Sequence, residues 1–243
     1  MITDTPFVDT HVDPLLAEIP AHFSLDLAGP SHPARPALEA FVAGVFLRAY
    51  GARLDRFYAN LLAFGIGGRL QAVVGARCAQ STRLFAEQYL DGPAQELASA
   101  RLGHPISRAS IVEVGNLAIG SPGQARLIIA ASTAFMAAAG YRWVLFTAVR
   151  PLANAFARLG LRPMALADAD PRRLPDGGMS WGTYYRASPK VYLGDILAGH
   201  RKLFGGVARH PQLRSLLQSA GRLGTGAHLA ACAWTWPIAE ARP

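Results

Sequence analysis

Cysteine is nearly absent from this 243-residue chain: Cys78 and Cys232 stand far apart, with no metal-ligating neighbours. That argues against a disulfide framework and fits two free thiols in a reducing compartment. Lysine is as scarce, only Lys190 and Lys202, so the net charge of +8 (24 basic against 16 acidic residues) is almost wholly arginine. Such an excess suits an acidic protein, an anionic lipid surface or a phosphorylated ligand, or it reflects an arginine-rich genome. Long apolar runs are missing too. The longest uncharged one, Leu127 to Tyr141, is too short and too rich in alanine to span a bilayer. The N-terminal residues include Asp4, Asp9, Asp13 and Glu18 and lack the basic and apolar regions of a secretory signal. A cytoplasmic location is expected, with peripheral contact to the inner membrane face through the basic C-terminal segment.

What is present is apolar: half the residues are hydrophobic, enough for one core. The most informative stretch is Ser110 to Ala148. Ile111–Ile119 reads as a buried strand, Ser121-Pro122-Gly123 as a break, Gln124–Ala139 as a small-residue helix and Arg142–Ala148 as a second strand. A crossover of this length makes the two strands parallel neighbours. Glu113 and Asn116 interrupt the first strand. A carboxylate there is costly without a partner or a task, which makes Glu113 the first candidate for chemistry.

Residues 1–36, rich in proline, histidine and aspartate, lack periodicity and are expected to form a loosely ordered lead-in. His11, Asp13, His22 and His32 are too irregularly spaced for a metal site, so no metal is expected. Helical spacing from Ala37 to Phe64, interrupted at Gly51, predicts two helices, and Gly65, Gly67 and Gly68 predict a turn. Leu70–Cys78 is read as a strand, Arg83–Leu90 as another or as a strand running into a turn, and Ala94–Leu102 as a helix stopped by Gly103. Beyond the central unit, Pro151 opens a helix that Gly160 closes. Arg162–Ala169 is then a strand, Asp170–Met179 a loop, and Ser180–Tyr185 with Lys190–Leu193 a closing strand or hairpin. Residues 37–194 form the main domain on this reading, and 195–243 a basic C-terminal extension expected to pack as an accessory helix.

This order of elements resembles the GNAT fold of N-acyltransferases: α/β, a mixed central sheet with flanking helices and here a helical C-terminal extension. Three blocks sharpen the likeness: Leu84-Phe85-Ala86-Glu87-Gln88-Tyr89-Leu90-Asp91, Ile111 to Ala118, and Trp181-Gly182-Thr183-Tyr184-Tyr185. With them, the segment from Ala49 to Pro189 resembles the thermostable hemolysin family of bacterial proteins. That pattern is in turn most similar to the acyltransferases that make acyl-homoserine lactones. The resemblance implies a function: transfer of a fatty acyl group from an acyl thioester, on CoA or an acidic acyl-carrier protein, to an amine acceptor that could be amino-acid-like. The alternative, implied by the family's name, is a membrane-active protein acting directly on bilayers.

Carried over by residue, Glu113-x-x-Asn116 sits where the lactone synthases have a Glu-x-x-Arg pair, and Arg77 falls where they carry an arginine on the strand after the helices. Two departures stand out. Gln124-Ala125-Arg126 lacks the glycines of the superfamily's phosphate-cradling loop, and Phe156 stands where a tyrosine often protonates the leaving thiolate. Glu113 and Asn116 are accordingly the expected catalytic residues, Glu113 as the base that burial would tune, although it could instead partner a buried arginine such as Arg77. Arg77, Glu87, Asp91, Trp181 and Tyr184 are the expected substrate contacts, the two carboxylates for a cationic amine and the aromatics for an acyl channel. Gly123, Gln124 and Arg126, at the start of the central helix, are the expected donor phosphate site.

Overall fold

The computed structural model of the chain describes residues 23–81, 83–207, 211–227 and 229. Strands β1 (Phe23–Ala28), β2 (Asn60–Ile66), β3 (Arg69–Cys78), β4 (Ile111–Ile119), β5 (Trp143–Ala148), β6 (Met164–Asp168) and β7 (Lys190–Asp195) form one sheet in the order β1-β2-β3-β4-β5-β7-β6. Only the β4–β5 pair is parallel, as the crossover through helix α3 (Ala125–Ala138) demands. Helices α1 (Arg35–Tyr50) and α2 (Ala94–Leu102) precede α3. They are followed by α4 (Arg150–Arg158), α5 (Ile196–Val207) and α6 (Pro211–Thr225).

Alternation along the central strands assigns the helices to faces. Leu61 and Val73 pack toward α1, whereas their neighbours Leu62 and Val74 pack toward α3 and α6. A strand buried on both sides is apolar throughout, which explains the first correction. In place of the second helix expected before Phe64, residues 51–59 form neither helix nor strand and run into β2. Leu54 and Phe57 pack into the cluster on the α1 side, while Leu61 and Leu62 lie on opposite faces of a strand buried on both sides, so apolar residues fall at helical intervals without a helix.

Three further expectations are corrected. The lead-in is built into the fold from Phe23 onward: Phe23–Ala28 pairs antiparallel with β2, from Phe23↔Ile66 to Ala28↔Leu61, and Arg35 already belongs to α1. The alternation Phe23, Leu25, Leu27 supplies one apolar face, which packs on the α3 and α6 side. His11, Asp13 and His22 lie outside the described residues, and His32 stands 3.3 Å from Asp26. Arg83–Leu90 is not a strand but a loop with a 3-10 turn at Ala86–Tyr89, because its N–H groups are taken by carboxylates rather than by a neighbouring strand. Ser180–Tyr185 likewise turns twice, at Met179–Trp181 and Tyr184–Ala187, before β7 begins.

The C-terminal helices complete the main core rather than decorate it. Leu213, Leu216, Leu217 and Ala220 of α6 are buried in one cluster with Phe135 of α3 and Val112 of β4. Trp234, Trp236 and Cys232 lie outside the described residues, and Cys78 is a free thiol. No helix among the described residues is long and apolar enough to cross a membrane.

Candidate active site

The sheet opens where β4 and β5 part. Their pairing runs from Ile111↔Trp143 to Val114↔Phe146 and then stops, although β4 continues to Ile119. The cause lies within β4. Its register against β3 shifts between Ala118 and Gly115, and Asn116 sits at φ 47°, in the left-handed region that asparagine tolerates better than most residues. Asn116 Oδ1 accepts the N–H of Tyr58 at 2.8 Å, which holds the bulge against the irregular stretch after α1.

A cavity of about 1180 Å³ passes through this opening. On the α1 face its wall includes Phe46, Tyr50, Tyr58, Phe85, Trp181 and Tyr184; on the other it includes Ala125, Ile128 and Ser132 of α3, Phe156 of α4, and Gly199 and Lys202 of α5. In the aromatic wall Tyr50 and Tyr184 pack edge to face with centroids 5.1 Å apart, and Phe85 and Trp181 lie tilted at 37° with centroids 5.6 Å apart. Burial pushes the Tyr184 phenol well above its ordinary range, so it stays protonated. The turn that presents Trp181 and Tyr184 depends on Gly182 (φ 57°), where a Cβ would lie 2.2 Å from the Tyr50 carbonyl oxygen. Thr183 N–H bonds that same oxygen at 2.8 Å, tying the turn to the end of α1.

Glu113 reaches the cavity wall with 1% exposure, yet it is no lone carboxylate. Arg77, opposite it in the β3–β4 register, donates through Nε at 2.7 Å, and the Phe85 and Ala86 N–H groups donate at 2.9 and 2.6 Å. Arg77 is equally buried, at 1%, and its guanidinium lies 4.6 Å from the centre of the Tyr58 ring. Glu113 therefore welds three segments: β3, β4 and the 83–90 loop. Charges removed from water this far survive only when so fully bonded.

Glu87 and Asp91 are not on the cavity wall. Glu87, 4% exposed, pairs with Arg108 and accepts the N–H groups of Leu84 and Ala94, both at 2.8 Å. Burial alone would raise its pKa, but the bonds from Arg108, Ala94 and Leu84 outweigh it and leave the carboxyl below its ordinary value. Asp91 is exposed and pairs with Arg173. The structure thus sets both apart from the cavity, each committed to an arginine that the sequence did not assign to it. Gly123 and Gln124 form a 3-10 turn ahead of α3, and Gln124 Nε2 bonds Gln71 at 3.3 Å. Arg126 follows in the first turn of α3, whose Ala125 touches the cavity. Sequence reasoning missed Tyr58, Arg35 and the polar pair Ser132 and Thr147, whose hydroxyls are buried without a partner on the cavity wall. Nothing marked them, since Tyr58 fell in a presumed helix and the hydroxyls in apolar runs.

Three solved structures share the fold at low identity. One is FeeM, an N-acyl amino acid synthase from uncultured soil microbes: TM-score 0.53, 14% identity, covering 77% of this chain and 96% of its own. The acyl-homoserine lactone synthase LasI aligns at 0.52 and 13%, covering 76% and 96%. BjaI, a CoA-dependent acyl-homoserine lactone synthase, aligns at 0.50 and 15%, covering 85% and 92%. No curated protein matches the chain. The family model of thermostable hemolysin matches residues 28–200, which takes in β2 to β7 and only the last residue of β1, and the chain accordingly belongs to the thermostable hemolysin family.

Proposed function

We propose that the protein transfers a fatty acyl group from an acyl thioester, carried by CoA or an acyl-carrier protein, to a small amine with amino-acid character. The observation that carries this reading is the cavity that crosses the sheet at the β4–β5 opening. Such a passage lets a long thioester enter from the α3 face while an amine approaches from the aromatic face, so the two meet at unpaired β4 backbone that can bind an oxyanion. The start of α3, with Arg126 in its first turn, suits the donor's phosphates. Similar structures that include an N-acyl amino acid synthase and a CoA-dependent lactone synthase support the choice of acceptor and donor class.

In this reading Glu113 shapes the site more than it moves protons, because its oxygens already accept three N–H donors. Attack by the neutral amine on the thioester carbon yields an amide and a free thiol. Thiol release is therefore the test: purified protein with acyl-CoA or acyl-carrier donors and a panel of amino acids and amines is expected to release thiol only when the amine is present. Release that is absent with every donor and amine would sink the proposal.

A further inference from the structure

One tyrosine on the cavity wall is held from more directions than packing requires. Tyr58 lies in the irregular stretch ahead of β2, outside any helix or strand. Its N–H donates to Asn116 in the β4 bulge, and its carbonyl, with that of Ala59, accepts the guanidinium of Arg35 from α1. Arg77 covers the ring face, with the guanidinium carbon 4.6 Å from the centroid. The phenol end overlies Gly115: a Cβ there would lie 2.7 Å from both Cζ and the hydroxyl oxygen. Gly115 is thus a glycine because the tyrosine occupies its side-chain space. The residue is 7% exposed, yet it lines the cavity.

That hydroxyl stands against β4 one residue past Val114, the last residue paired with β5. Phe156, on the other side of the cavity, stacks on Phe146 at 4.8 Å and has no proton to give. We propose that Tyr58 is a catalytic residue of the transfer, passing a proton from the attacking amine to the departing sulfur. This rests on the acyl-transfer reading above. The amine nitrogen bonds to the thioester carbonyl carbon, and the carbon–sulfur bond breaks with its electron pair going to sulfur. Sulfur takes the phenol proton, and the phenolate oxygen takes the proton that the nitrogen releases. Amide and thiol leave, Tyr58 is restored, and no other reactant is needed. Holding the backbone through Asn116 and Arg35 and the ring between Arg77 and Gly115 is what such a relay needs, since proton transfer works only within hydrogen-bond reach.

Tyr58→Phe tests this, because it keeps the ring over Gly115 and under Arg77 and so spares the packing. Parent and variant are compared with two donors bearing the same acyl group: the natural-type thioester the parent accepts best, and the 4-nitrothiophenyl ester, whose thiolate departs without a proton. With the first donor kcat is expected to fall about 100-fold at nearly constant KM, the lower end of the range for general acid–base catalysis. With the aryl ester the loss is expected to shrink to about a few-fold, since only the proton on nitrogen still needs a carrier. Equal losses with both donors, or none with the first, would overturn the role of Tyr58 while leaving the transferase reading intact. A parent that is inert toward every donor and amine overturns the transferase reading, and the role of Tyr58 with it.

Discussion

Arg77 and Glu113 illustrate what a buried charge demands of its surroundings. Each is cut off from water, and each answers the other across the β3–β4 register. Removing one charge strands its partner, so Glu113→Gln is expected to cost about 3–5 kcal/mol of stability, read from urea unfolding. A variant as stable as the parent would show that the ion pair contributes little. Glu87 gives a pH dependence. Its folded pKa is depressed, so its contribution is present above the ordinary carboxylate range and is lost as pH falls through the folded value. Thermal melts below about pH 4 should show a steeper loss of stability in the parent than in Glu87→Gln, since that range lies under the unfolded glutamate pKa. The sequence pointed to Glu113 because a carboxylate in an apolar strand needs a reason. It could not disclose Arg108 as the partner of Glu87 or Arg35 as the clamp on Tyr58, because those contacts join residues 21 and 23 apart through a fold not yet known.

Elements were legible wherever local chemistry and final environment agreed. The β4–α3–β5 unit, the α2 stop at Gly103 and the α4 start at Pro151 follow from runs, breakers and caps that act within a few residues. The stretch before β2 was misread because Leu54 and Phe57, which pack into the cluster on the α1 side, continue the apolar spacing of α1 without forming a helix. At Trp181-Gly182-Thr183 the turn is set by a distant carbonyl, that of Tyr50, which no local pattern encodes. Gly182→Ala forces both an unfavourable φ and a 2.2 Å contact, so a loss of at least about 1–3 kcal/mol is expected, read as a lowered Tm. An unchanged melt would mean the turn relaxes freely. Helix α6 gives the complementary case. Leu217, 1% exposed in the cluster below the sheet, should cost about 2–5 kcal/mol on truncation to alanine, as a core residue does and a surface extension does not.

At the scale of the molecule, the family's description raises lysis, and the cavity raises catalysis. The two separate cleanly in one measurement. Dye leakage from anionic liposomes is expected only when acyl donor and amine are both supplied, through an acylated product that perturbs the bilayer. Leakage by the protein alone would favour direct action on the membrane. The apolar runs and the breaks between them were enough to mark one parallel βαβ crossover and to single out Glu113 as out of place, and the resemblance supplied the mixed sheet around them. Those are properties of neighbours in the chain, where spacing and side-chain type act directly. Which carboxylates are tied to arginines, where β4 and β5 part, and how Tyr58 comes to stand over Gly115 were decided only by tertiary structure. Each of those depends on groups brought together from distant segments, and on the low-dielectric interior that makes their pairing obligatory.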